Sequence, residues 1–143
     1  MAETFATEVA GLDTVPSTKS NGAVHNARLR RFRATIKYDG QAAGDTIVLA
    51  DVPAGYAFAY GVITASATAG VSATVAIGIS GTAGKYRAAA TFTAADTPTM
   101  FGTAAGAKAA ALTAKERVIA TVGAAALPTS ADYMVVDLYF SGP

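Results

Sequence analysis

The chain has 143 residues, 52% of them hydrophobic and only 15% charged, with a net charge of +1 and an isoelectric point near 8. This balance argues against the broad basic face of a nucleic-acid binder, and the lack of cysteine excludes disulfides, thiolate catalysis and Cys-type zinc sites. No run reaches the 18 or so apolar residues of a membrane helix, and Met1–Asp13 has neither the basic start nor the apolar stretch of a secretory signal.

Residues 1–27 are Thr, Ala, Ser and Gly with scattered charges, and Pro16, Asn21 and Gly22 break any periodicity. They read as an N-terminal arm that, fully extended, spans roughly 80 to 90 Å. Residues 28–143 read as one β-domain, long enough to bury about two thirds of its unfolded surface. The first strand is Arg28–Tyr38, where Phe32, Ala34, Ile36 and Tyr38 alternate with Arg31, Arg33, Thr35 and Lys37. One face enters a core and the other is basic. Positive charge concentrates here: residues 1–37 hold six Lys/Arg and three Asp/Glu, and residues 38–143 hold five and seven.

Asp45–Ser66 contains two β-type runs around Val52-Pro53-Ala54-Gly55, where Pro fixes φ and Gly permits φ > 0, so the chain turns a corner there. In the second run Tyr56, Phe58, Tyr60 and Val62 share one parity, facing the core, and Ala57, Ala59 and Gly61 share the other. That small-residue face is expected to let another sheet or subunit approach closely. Ala73–Ile79 alternates again. Gly81, Gly84 and Lys85 mark a loop, and Tyr86–Phe92 reads equally as a helical turn or an edge segment. Thr103–Ala114 lacks the apolar stripe of an amphipathic helix, so it reads as a surface loop with at most a short helix.

Glu116–Val122 and Tyr133–Phe140 close the chain as two β-type runs, the second placing Met134, Val136, Leu138 and Phe140 on one face. Short, regularly spaced strands with no long helix predict an all-β, antiparallel β-sandwich of the jelly-roll kind with an extended N-terminal arm; an immunoglobulin-like sandwich is the competitor. The expected core is Phe32, Ile36, Phe58, Tyr60, Val75, Ile77, Val118, Val136, Leu138 and Phe140.

Reactive constellations are missing. Gly78–Lys85 departs from a phosphate loop by one residue, with Tyr86 where Ser or Thr would hold magnesium. Gly78-Ile79-Ser80-Gly81 misses the second Gly of a nucleophile elbow. His25 is the sole histidine and lies in the arm; Asp39, Asp45 and Asp51 lack the dense acidic loop that calcium needs and read as turn or strand-end residues. Arg28, Arg30, Arg31, Arg33 and Lys37 are expected to have no aromatic platform on the same face, so a protein-facing or solvated strand is expected rather than a nucleic-acid site. The chain is therefore expected to be no enzyme and to need no cofactor or metal. With charged residues so far below the roughly 25% of a typical soluble domain, much of the surface is expected to touch protein; the alternative is a neutral coat of Ala, Gly and Thr.

The arm, Gly22–Arg30 (Gly-Ala-Val-His-Asn-Ala-Arg-Leu-Arg), Asp45–Gly55, Thr74–Tyr86 and a closing hairpin of Val118–Gly123 with Val135–Phe140 together resemble small virion structural proteins of tailed bacteriophages, over roughly residues 22 to 140. The resemblance implies a capsid decoration (cement) protein, a β-sandwich subunit, commonly trimeric, that binds the outside of the major capsid shell and stiffens it. Its implied partners are the major capsid protein and itself, without nucleic acid or membrane, on the outer surface of a head assembled in the host cytoplasm. The expected interface is Phe5, Val9, Leu12 and Val15 of the arm with Arg28, Arg31 and Arg33 of the first strand. A head-fibre base, a tail or baseplate subunit, or a host- or carbohydrate-binding fibre module is the alternative. The last would draw on Tyr133, Tyr139 and Asp137.

Overall fold

The computed structural model describes residues 25–143 together with Ala6, Ala10, 14–20, Gly22 and Ala23. Eight strands follow in order: β1 (Arg28–Asp39), β2 (Thr46–Val52), β3 (Ala57–Ala65), β4 (Thr74–Ile79), β5 (Thr82–Thr91), β6 (Thr99–Phe101), β7 (Glu116–Gly123) and β8 (Thr129–Gly142). One short helix, α1 (Ala104–Lys108), lies between β6 and β7. Thr103 caps it, accepting from the Gly106 N–H at 3.0 Å while its own hydroxyl donates to the Lys85 carbonyl at 2.7 Å.

Two four-stranded antiparallel sheets pack face to face, ordered β1-β8-β3-β6 and β2-β7-β4-β5. The chain behaves as one long hairpin, β1 with β8, β2 with β7, β3 with β6 and β4 with β5, wound into a sandwich. That is the jelly roll. An immunoglobulin-like sandwich pairs consecutive strands at its start, whereas here β4 and β5 alone are consecutive partners. The closing runs do not form the expected hairpin with each other: β7 pairs with β2 and β4, β8 with β1 and β3, and residues 124–128 carry the chain between sheets. Turn residues between two strands mark a reversal, and they do not say which strand is then paired.

Alternation builds the core. Met134, Val136, Leu138 and Phe140 are fully buried along β8, facing Val75 and Ile77 of β4 and Val118, Ala120 and Val122 of β7. Phe140 sits at the centre of an aromatic group, edge-on to Phe32, Phe58 and Tyr86 with centroids 5.8, 5.4 and 5.8 Å away. Of the expected core, Phe32 and Tyr60 alone are incompletely buried.

Tyr60 is displaced by a β-bulge. Phe58 lies opposite Phe140 and Tyr60 opposite Tyr139, so Ala59 is an extra residue in β3 and the parity reverses beyond it. Gly61, Ile63 and Ala65 then face inward, while Tyr60, Val62 and Thr64 face outward. The expected small face of Ala57, Ala59 and Gly61 is thus no free contact surface, because Ala57 and Gly61 are buried. A second irregularity shapes β5. Ile79 pairs with Thr82 and Ile77 with Arg87, so the intervening residues bulge over Gly78, and Gly84 and Lys85 belong to the strand rather than to a loop. Tyr86–Phe92 falls mostly within β5, at the sheet edge.

Candidate functional site

The outer face of the first sheet brings aromatic, apolar and charged side chains together. Three lateral rows cross it. Arg31 of β1, Tyr139 of β8 and Tyr60 of β3 make the first, with the two tyrosine rings stacked at 4.7 Å and 20°. Arg33, Asp137, Val62 and Met100 make the second, and Thr35, Val135 and Thr64 the third. Lys37 stands opposite Tyr133 below them. The face is aromatic and apolar through β8, β3 and β6, with cations along the β1 side. Met100 and Tyr133 are exposed, and a hollow of about 240 Å³ opens beside Tyr133, bordered by Arg33, Asp137, Thr64, Ser66 and Asp96.

Arg33 organises the centre of this face. Its Nε and Nη2 donate to Oδ1 and Oδ2 of Asp137, each at 2.8 Å, the two-pronged geometry that fits a planar guanidinium to a carboxylate. The Arg33 guanidinium holds the Asp137 carboxyl below the usual carboxylate range, against a burial that alone would raise it; Arg31 adds a smaller pull downward. Arg33 is raised in turn, chiefly by the same hydrogen bonds. Asp137 is therefore an ionised, occupied group and not a free acid.

Among the described residues, the three expected interface arginines do not share one face. Arg31 and Arg33 share the outer face, but Arg28 has the opposite parity along an uninterrupted ladder, at the end of β1 where the core has run out. Val15 is exposed, and Phe5, Val9 and Leu12 lie outside the described residues. The basic face does carry aromatics, contrary to expectation. Tyr139 and Tyr133 come from β8 and Tyr60 from β3. Reading β1 by itself could not reveal them, since lateral neighbours are fixed by strand order and, for Tyr60, by a bulge.

Several polar groups away from this face have structural partners. Glu116 accepts from the Tyr86 hydroxyl and from Lys85 Nζ, and burial with that bond pushes the Tyr86 phenol well above its ordinary value. Gly78–Lys85 spans the end of β4, the turn at Ser80 and Gly81 with Gly81 at φ +82°, and the start of β5, and its lysine points to Glu116. Asp51 bridges Arg117 and Lys115, and these cations hold its carboxyl far below the usual range. Asp45 accepts from the Ala42 N–H at 2.8 Å in the turn before β2. His25 is exposed, and among the described residues no three His, Cys, Asp or Glu side chains converge on a metal position. No helix among the described residues is long and apolar enough to cross a membrane.

No protein-family profile and no curated protein sequence matches the chain. Its fold is nevertheless shared with solved structures. A chain of the cyanophage Pam1 capsid asymmetric unit superposes with a TM-score of 0.66 at 15% identity, over 82% of this chain and 86% of that one. A chain of the capsid of Ralstonia phage GP4 gives 0.64 at 19%, over 84% and 86%. A chain from the acid-stable capsid of Helicobacter pylori bacteriophage KHP30 gives 0.56 at 15%, over 80% and 88%. In each, four fifths or more of both chains share the fold.

Proposed function

We propose that this chain is a structural protein of a phage virion, and specifically a decoration subunit that seats on the outside of the major capsid shell and stabilises the head. The observation that carries this reading is the shared jelly roll, which spans four fifths or more of both partners in each of three phage capsid structures. The surface supports it. The polar clusters away from the outer face are closed ion pairs and turn contacts, and that face is an apolar and aromatic field edged by cations, suited to protein contact. A trimer is the assembly preferred, because local threefold positions of an icosahedral shell match its symmetry.

The test is to mix the purified protein with empty heads and image the particles by electron cryomicroscopy. Added density on the outer surface, in groups of three, is expected. Bare shells, or isolated single copies, contradict the proposal.

A fibre module that binds host saccharides is the second reading. It is favoured by one observation, the placement of Tyr133, Tyr139 and Asp137 on one face beside a hollow. Against it, the Asp137 oxygens already receive the Arg33 fork. Saccharide titration followed by tyrosine fluorescence separates the two readings, since a decoration subunit gives no saturable change.

A further inference from the structure

β1 is the outermost strand of its sheet, and among the described residues no strand pairs with its free side. It is 12 residues long, so it offers alternate N–H and C=O groups along about 40 Å. Soluble proteins commonly shorten, bulge or cover such an edge. This one is regular from Arg28 to Lys37, and its register shifts only beyond that point. Its distinguishing feature is charge of one sign: of Arg28, Arg30, Arg31, Arg33 and Lys37, Arg33 alone forms a salt bridge among the described residues.

Ahead of the first strand the sequence holds a segment of opposite character. Residues 1–13 contain Glu3, Glu8 and Asp13, no Lys or Arg, and no proline that would remove a backbone donor. Residues 14–19 are exposed, Val15 almost completely, so the chain stands clear of its own body where this segment joins it.

We propose that residues 1–13 of one copy add as a strand to the free edge of β1 in a second copy. Backbone hydrogen bonds supply the contact and the carboxylates select partner and register. Cations stand on both parities of β1, Arg28 and Arg30 on one and Arg31, Arg33 and Lys37 on the other, so the edge presents positive charge to both faces of an added strand, one carrying Glu3 and Asp13 and the other Glu8. The same charges oppose the symmetric alternative, because two β1 edges brought together set arginine against arginine. Segment-to-edge contact is heterologous, and it closes into a ring where the rotation allows. A ring of three is the trimer preferred above.

The chain lacks cysteine, so a single introduced thiol is uniquely addressable. V9C protein is mixed with mass-tagged T35C protein, with no capsid present, and treated with a short bismaleimide. The V9C/T35C double variant is treated alongside. A tagged–untagged dimer joined between positions 9 and 35 is expected, its yield falling about tenfold for E3Q/E8Q/D13N and in high salt. Links between positions 9 and 35 confined to monomers of the double variant, links between two copies of position 9 alone, or a yield indifferent to salt and to the acid substitutions each overturn the proposal. Because no capsid enters the experiment, its failure leaves capsid binding untouched, and failed capsid binding leaves this contact standing.

Discussion

Arg33 and Asp137 face each other across the β1–β8 ladder, and both nitrogens of one edge of the guanidinium meet both carboxylate oxygens at 2.8 Å. Asp137 is the one buried charged side chain among the described residues, whereas Arg33 keeps half of its side chain in solvent. Removing the arginine therefore strands an acid with little water to compensate it. Arg33→Met is expected to lower the urea midpoint more than the Arg33→Met, Asp137→Leu double change, which leaves no orphan. A double variant less stable than Arg33→Met would show that the pair contributes net attraction beyond relief of the buried charge.

The same pair fixes a pH dependence. Asp137 titrates lower in the folded chain than in the unfolded one, so its contribution is fully present above the unfolded carboxylate value of about 3.9 and is lost as pH falls through the folded value. The stability gap between the parent and Asp137→Asn should stay constant from neutral pH down to about 5 and close in acid. Urea titrations at neutral and strongly acid pH measure it. A gap that widens in acid would contradict the assignment.

Phe140 and Tyr60 offer a contrast that tests the β3 bulge. Phe140 is fully buried against three rings, so Phe140→Ala should cost about 3–5 kcal/mol. Tyr60 is turned outward and keeps one stacked partner, so Tyr60→Ala should cost about 1 kcal/mol. Comparable losses would place Tyr60 in the core after all.

Much of this fold is legible in single strands. β1 up to Lys37 and β8 from Tyr133 each present one parity to the core without interruption, so alternation alone identifies Ile36, Val136, Leu138 and Phe140. Legibility fails at Ala59, where one inserted residue reverses the faces, and at Gly84 and Lys85, where a strand bulges enough to read as a loop. The stacking of Tyr60 on Tyr139 and the placement of tyrosines beside the β1 cations depend on strand order, which links positions far apart in sequence and leaves no local pattern.

Gly78 is a packing requirement. A methyl group there would run into the carbonyl oxygens of Thr82 and Ala83, which are backbone and yield only if the β4–β5 turn opens. Gly78→Ala should destabilise by about 1–3 kcal/mol through overpacking. Full stability in thermal unfolding would mean that β5 has room to move away.

Deleting Met1–Ser20 should leave the sandwich folded, because β1 begins at Arg28 and the buried core draws on residues from Ile36 onward. The tie between the Ala23 carbonyl and the Ser141 hydroxyl, 2.8 Å long, remains in such a variant. If the removed segment holds neighbours together, binding to empty capsids should weaken by about tenfold or more while thermal unfolding is unchanged. Equal binding would show that the body docks unaided.

The last prediction separates cations that are available to a partner from one that is already engaged. Arg31 and Lys37 form no salt bridge among the described residues, Arg31 exerting only a weak pull on Asp137, whereas Arg33 is committed to Asp137. Exposed charges that meet acids on a shell or a sister copy act through a field that salt screens over about 10 Å at 0.1 M. Arg31→Gln with Lys37→Gln should therefore leave the urea midpoint where it was and flatten the salt dependence of capsid binding. Arg33→Gln should do the reverse, lowering the midpoint while the salt dependence persists, because its charge is balanced within the subunit. Titrating both variants against empty capsids at two salt concentrations decides the matter. If Arg33→Gln flattens the salt dependence as strongly as the Arg31 and Lys37 pair, the Asp137 contact opens when the partner binds.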